Sequence, residues 1–308
     1  MIKVTDIAYV RYDAPDLEAM ARFLGDFGLY AVAKGADELH MAARPGGPPI
    51  HLTRRGPARA VGIGLHAASE HDLLVLAAHA GQAVSDAPGG GRCVRLTDPG
   101  GLQVDVVWGR PDAGSPPARE SMPANQGGSR PRRNLRVRPT TGPSQVLRLG
   151  HVALLVPDFD AARAFYGGLL GLKLSDGYSG PDGKLMGAFL HCARGPEWVD
   201  HHTVALIAPP PGIPHTHIDH CAFEVLDLDD LMLGHDHLRA RGWKHSWGVG
   251  RHFEGSQLFD YWRDPAGHKI EHWTDGDLVN DGYDPQVVPM DPGRMAQWGP
   301  PLTPEFFE

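Results

Sequence analysis

The sequence predicts an α+β protein assembled from tandem βαβββ modules, two per domain. Three observations predict it: the second half repeats the first, each repeat runs strand, helix, then several strands, and a stretch rich in Pro, Gly, Ser and Arg separates the halves. A chain of 308 residues is long enough for about two domains, each with its own core. A unit of this size leaves one sheet face bare, so units are expected to pair and cover each other.

The modules read in order. DIAYVRYDAPDLEAMARFLGDFGL from Asp6 resembles GHVALLVPDFDAARAFYGGLLGL from Gly150, with Pro15-Asp16-Leu17 facing Pro157-Asp158-Phe159 and Phe23 facing Phe165. In the later copy, His151–Val156 is a short apolar run, the mark of a buried strand. Asp158 is an N-cap candidate, and Ala161, Phe165 and Leu169, four apart, form one helix face that Gly167 or Gly171 can close. Strand candidates follow at 185–193 and 202–208. The module from Val61 (VGIGLHAASEHDLLVL) faces the one from Asp219 (DHCAFEVLDLDDLMLG), and Thr97–Trp108 faces Arg263–Trp273.

Composition narrows the function. A net charge of −8 and a pI of about 6.1 argue against a general nucleic-acid binder. No apolar run is long enough for a bilayer span and no signal peptide is read, so a cytoplasmic protein without a membrane partner is expected. Cys93, Cys192 and Cys221 are too few and too scattered for a disulfide framework or a Cys₄ zinc site. Residues 111–146 are expected to be a linker between domains at 1–110 and 147–281; its cluster of Arg130, Arg132, Arg133, Arg136 and Arg138 reads as a solvated face. The tail, 282–308, carries Trp298, Phe306 and Phe307 and is expected to dock on a surface.

The chemistry lies in histidine, with 18 copies. Histidine is the commonest metal ligand and titrates near neutral pH. Across the aligned halves, His151 faces Tyr9, His220 faces Gly62 and Glu271 faces Asp105. Only the second half offers two imidazoles and a carboxylate, so one active half and one supporting half are expected. His151 and His220 open the first strands of two modules, and such strands lie side by side in a paired scaffold. Two His and one carboxylate on one face of an ion form the facial triad of non-haem Fe(II) oxygenases, which leaves adjacent positions open. A packed core histidine is the competing reading of His151. His217 has the wrong parity to share a strand face with His220, whereas Glu224 has the right one and competes as a carboxylate. His235 and His237, in a helix around LDDLMLGHDHLRARG, read as surface residues, and His272 as pointing away from the metal.

These residues resemble the type I extradiol (ring-cleaving) catecholic dioxygenases of the vicinal oxygen chelate superfamily. GRHFEGSQLFDYWRDPAGHKIE, Gly250 to Glu271, is similar to that family's signature through His252, Tyr261, Asp264, Pro265, Gly267 and Glu271. LGHVALLVPD and DHCAFEVLDLDDL resemble the two strands carrying the family's histidine ligands, and FLHCARGPEWVDHHTVALI the segment carrying a catalytic His. The resemblance covers residues 145–280 closely and 1–110 loosely. It implies two barrel-like domains, Fe(2+) with Mn(2+) as an alternative, metal ligands His151, His220 and Glu271, an acid/base His202, and His252 and Tyr261 hydrogen-bonded to ring oxygens. It implies a catechol-type aromatic substrate and O₂ as partners, and a homo-oligomer. His201, beside His202, is expected to point the opposite way along a strand. Two departures, Asp260 before the Tyr and GPEWVD at 195–200, are expected to alter the pocket wall. Two other functions suit the same scaffold, a glyoxalase-type metal-dependent isomerase or lyase and a non-catalytic small-molecule binder.

Overall fold

The computed structural model describes residues 2–307 except Pro45 and Ser115, with backbone alone for Glu305 and Phe307. The first half comprises β1 (Val4–Ala14), α1 (Leu17–Phe27), β2 (Tyr30–Lys34), β3 (Glu38–Ala42) and β4 (His51–Arg55), then β5 (Arg59–Ala67), α2 (Glu70–Ala80), β6 (Val84–Asp86), β7 (Arg92–Thr97) and β8 (Gln103–Trp108). These are two βαβββ modules, and their strands make one sheet in the order β2-β3-β4-β1-β5-β8-β7-β6. The second half repeats the plan: β9 (Val146–Leu155), α3 (Phe159–Arg163, continued by a π-helical turn at Ala164–Leu169), β10 (Leu172–Ser179), β11 (Leu185–Cys192), β12 (Val199–Asp200) and β13 (Val204–Ile207). The fourth module follows as β14 (His217–Val225), α4 (Leu228–Ala240), β15 (Lys244–Arg251), β16 (Leu258–Arg263) and β17 (Lys269–Thr274). After it come β18 (Leu278–Val279), paired with β12, and β19 (Gln286–Pro289), which extends the second sheet into β15-β16-β17-β14-β9-β13-β11-β10-β19.

One device starts all four helices. Asp16, Ser69, Asp158 and Asp227 each accept a hydrogen bond from the backbone N–H three residues on, at Ala19, Asp72, Ala161 and Asp230. The α+β architecture of tandem modules, two per sheet, is therefore the one observed. The first strands of paired modules are central neighbours, β1 against β5 and β9 against β14, both antiparallel.

The halves share one buried core, which runs from Val4 and Phe27 to Phe223 and Trp262. Asp26 of α1 joins them: it accepts from His237 Nε2 (2.9 Å) and Trp243 Nε1 (3.0 Å). His272 Nε2–H donates to the Phe27 carbonyl at 2.7 Å. The intervening segment is pinned at several points. Arg110 lies over the Tyr9 ring and donates to the carbonyls of Ala8 and Pro49, and Arg119 reaches Asp230 at the start of α4. Arg130, Arg133, Arg136 and Arg138 are exposed. Among the described residues no helix is long and apolar enough to cross a membrane.

Three expectations need correction. The buried stripe of the third helix is Ala162 and Tyr166, followed by Leu170, one position beyond Ala161, Phe165 and Leu169. Both rows are spaced by four, and the larger polar-tipped ring wins the core because the Tyr166 hydroxyl finds the Asp98 carboxylate at 3.3 Å. His235 is not a surface residue but is buried against Asp260 of β16. Asp260 lies on the helix side of the sheet, opposite His272, so it is no pocket-wall residue. In the tail, Phe306 packs on Trp247 and Tyr261 whereas Trp298 stays half exposed. The Phe307 side chain lies outside the described residues.

Candidate metal centre

Strand register builds the site. His151 on β9 is opposite Ala222 on β14, Ala222 is beside Glu271 on β17, and Glu271 is opposite Tyr261 on β16. Directly paired residues share a sheet face, so these four form one row across four strands. His220 precedes Ala222 by two residues and projects from the same face. The small side chain at Ala222 leaves space where imidazoles and carboxylate converge.

The converging atoms are His151 Nε2 and His220 Nε2, 3.3 and 3.4 Å from the same oxygen, Glu271 Oε2. Ligand atoms at ~2.1 Å from a common ion lie ~3.0–3.4 Å apart for angles between octahedral and tetrahedral. The His220 tautomer is set from behind: Nδ1–H donates to Asp219 Oδ2 at 2.7 Å, and Lys269 Nζ donates to the same carboxylate. Nε2 is thus left bare toward the site, a common arrangement behind metal-bound imidazoles. Glu271 is wholly buried. Burial alone would raise its carboxyl pKa, but polar contact and charge from the neighbouring His151, His252 and His220 imidazoles outweigh it and lower it. Burial also pushes His151 down, so that imidazole stays neutral despite the carboxylate beside it. Neither Glu271 oxygen accepts a hydrogen bond from a described residue. A buried carboxylate without aligned donors costs several kcal/mol unless a cation faces it. Two imidazole nitrogens converging on one buried carboxylate oxygen fit a divalent cation.

Two hydrogen-bonded relays flank this cluster. His202, also buried, has its ring 4.2 Å from that of His151. Burial, reinforced by the imidazoles of His151, His201, His220 and His252, pushes its pKa well below the ordinary value, so it is neutral. His201 Nε2 lies 2.8 Å from Asp176 Oδ2, and His201 Nδ1 lies 3.2 Å from His202 Nδ1. A carboxylate only accepts, so His201 donates through Nε2–H, accepts at Nδ1 from His202 Nδ1–H, and leaves His202 Nε2 as the basic nitrogen. On the other side, His252 Nδ1–H donates to the Met295 carbonyl (2.9 Å), so His252 Nε2 accepts the Tyr261 hydroxyl proton (2.9 Å). Burial, followed by the Glu271 and Asp219 charges, raises the Tyr261 pKa far above the ordinary value and keeps that hydroxyl protonated.

With this geometry in view, residues 148–272 match the Glyoxalase/Bleomycin resistance protein/Dioxygenase superfamily. Residues 148–272 form a domain of this superfamily. It is 34% identical over 218 residues to metapyrocatechase 2 of Cupriavidus necator, covering 68% of this chain and 61% of that one. It is 38% identical over 130 residues to a biphenyl-2,3-diol 1,2-dioxygenase of Paraburkholderia xenovorans, covering 41% of each. The matches thus span less than two thirds of those relatives. The Mn(II)-bound glyoxalase from Novosphingobium aromaticivorans superposes with a TM-score of 0.76 at 26% identity, covering 99% of this chain and 94% of that one.

The same βαβββ arrangement recurs in the first half with different contents. Tyr9, Gly64, Asp105 and Arg95 occupy the row that His151, Ala222, Glu271 and Tyr261 occupy in the second. Gly64 is required there, since a Cβ would sit 2.6 Å from the Tyr9 ring. Asp105 is as buried as Glu271 but is satisfied internally, by Tyr9 OH (2.8 Å), Arg95 Nε (2.9 Å) and Gln103 Nε2 (3.1 Å). Protein donors and the guanidinium charge stand where the second half presents bare imidazoles.

All six residues singled out from the sequence lie in one cluster. Glu224 is turned to an ion pair with Arg148 and takes no part. His201 does not point away from His202, because both precede β13 on an irregular segment where strand alternation does not apply. GPEWVD leaves Trp198 exposed, pairs Val199–Asp200 with β18, and sends Asp200 to Arg148. Sequence reading missed Ala222, Asp176 and the Met295 carbonyl. Of these, only Ala222 carried a signal, as the small residue two places after a proposed ligand.

Proposed function

We propose that this chain is an Fe(II)-dependent extradiol dioxygenase that inserts both atoms of O₂ into a catechol-type ring and cleaves it beside the diol. Residues 147–281 carry the centre and residues 1–110 support it. His151, His220 and Glu271 would hold the ion, with Mn(II) as an alternative since the same N and O donors accept it. Bound there, the ion supplies Lewis acidity toward two vicinal hydroxyls and a redox route between ring and O₂. The observation that carries the reading is the wholly buried Glu271 carboxyl, which accepts no hydrogen bond from the described residues while two imidazole nitrogens face one of its oxygens.

The chain's own residues divide the remaining work. The Tyr261 hydroxyl donates a hydrogen bond to His252 Nε2 and keeps oxygen lone pairs to accept from a ring hydroxyl. His202 Nε2, bare and buried, takes a proton from the bound diol and can return it as the ring opens. Phe189, whose ring centroid is 5.1 Å from that of His202, gives that base an apolar neighbour.

A glyoxalase-type isomerase is the second reading, favoured by the likeness to the Mn(II)-bound glyoxalase. The test is anaerobic ferrous loading followed by a panel of catechols in air, with O₂ uptake and visible absorbance recorded. One O₂ consumed per ring, with a yellow ring-opened product, is expected. Loaded protein that takes up no O₂ but turns over thiol adducts would establish the isomerase instead. Failure to retain any metal would leave a binding protein.

A further inference from the structure

On the reverse side of the same sheet, α4, β15 and β16 bring together His235, His245 and Asp260. We propose that these three residues form a second divalent-cation site, of zinc(II) type, which ties α4 to the strand that carries Tyr261.

Its donor atoms are already at ligand spacing. His235 Nδ1 lies 3.1 and 3.0 Å from the two Asp260 oxygens, and His245 Nε2 lies 2.8 Å from Oδ1. One donor atom from each residue falls within 4.8 Å of the others. Ligands ~2.0–2.1 Å from a tetrahedral ion lie ~3.3 Å apart, so each imidazole–carboxylate pair opens by a few tenths of an ångström to seat an ion. Two imidazoles and one carboxylate form a three-ligand set that zinc uses with water in the fourth position. Solvent reaches the cluster from the His245 side: Asp260 is wholly buried, the His235 side chain is 11% exposed and that of His245 is 29% exposed.

The surroundings match a ligated carboxylate. Trp262 Nε1–H donates to Asp260 Oδ2 at 2.6 Å, fixing the oxygen that a cation bound at Oδ1 would leave free. The indole also packs edge-on against both imidazoles, with centroids 5.5 and 4.8 Å away, and seals the inner side. Without a cation the imidazole protons fill the same space, so binding exchanges protons for the ion. The site backs directly onto the first: Asp260 is opposite His272, and each neighbours a residue of the first centre, Tyr261 and Glu271.

The two centres can be counted separately. Metal-free protein, incubated with zinc and dialysed, should hold two zinc ions per chain by elemental analysis. Glu271→Gln should hold one, and His245→Gln should hold one. In the Glu271→Gln background, zinc should still raise the thermal midpoint, and adding His245→Gln or His235→Gln should abolish that rise. His245 is the most exposed of the three, so its replacement spares the core, and His235→Gln provides the second variant. One zinc per chain in the parent, or an undiminished count and thermal rise in both histidine variants on the Glu271→Gln background, would show a hydrogen-bonded triad and overturn the site. Two zinc ions bound, but no ring cleavage after anaerobic ferrous loading of the first centre, would count against the dioxygenase reading alone, since zinc itself supplies no redox route.

Discussion

Asp176→Asn should switch the tautomer of a histidine it never touches. The Gln286 N–H donates to Asp176 Oδ1 at 2.8 Å, so in the variant that position must remain the carbonyl oxygen. The amide nitrogen then replaces Oδ2, 2.8 Å from His201 Nε2 and 3.2 Å from the Tyr283 hydroxyl. An NH₂ facing His201 Nε2 forces that nitrogen to accept, which moves the His201 proton to Nδ1. His201 then donates to His202 Nδ1, and the His202 proton moves to Nε2. The base is present but inverted. General-base catalysis contributes about 10²–10⁴-fold, so kcat should fall on the order of 10²-fold, about 2.7 kcal/mol of barrier. Iron content should not change, because His151, His220 and Glu271 keep their places. The assay pairs single-turnover ring cleavage with nitrogen-15 NMR of the metal-free protein, where His202 should change from the Nδ1–H to the Nε2–H form. An inverted tautomer with parental kcat would remove His202 from proton transfer; an unchanged tautomer would refute the relay.

Ala222→Leu places a branched side chain between His151 and Glu271; overpacking of ~1–3 kcal/mol should leave the fold intact by circular dichroism, while iron retention is lost. Asp26→Asn should cost ~1–2 kcal/mol at pH 7 in denaturant titrations, because it weakens bonds from His237 and Trp243 that join the halves. Burial alone would raise the Asp26 pKa, but His237, Trp243 and Arg241 outweigh it and hold it below the ordinary value. That stabilisation is therefore present above the unfolded pKa of ~3.9 and disappears as pH falls through the folded value, so the deficit of the variant should shrink below pH 4. Tyr9→Phe takes one donor from the buried Asp105 and should lower stability by ~1–2 kcal/mol without changing metal content; a change in bound metal would give the first half a role in the centre.

The fold was legible because duplication, N-cap residues and apolar runs agree at every module. The candidate ligands were legible for the same reason: strand parity and the comparison of His151, His220 and Glu271 with Tyr9, Gly62 and Asp105 need no knowledge of loops. The supporting residues were not. Asp176 reaches His201 across strands, and Met295 arrives from the tail to hold His252, contacts that follow from how irregular segments lie on the sheet. His235 escapes the sequence reading because α4 packs on two sides, on the first half at Asp26 and on β16 at Asp260, and polar side chains facing either side find partners there. The third helix was read one position off because two rows of residues four apart are equally periodic, and only the partner of the Tyr166 hydroxyl distinguishes them.

The most direct measurement is anomalous diffraction at the iron absorption edge from crystals loaded with ferrous ion in the absence of air. An iron peak within bonding distance of His151 Nε2, His220 Nε2 and Glu271 Oε2 is predicted. Fully loaded crystals with no anomalous density among those three atoms would contradict it.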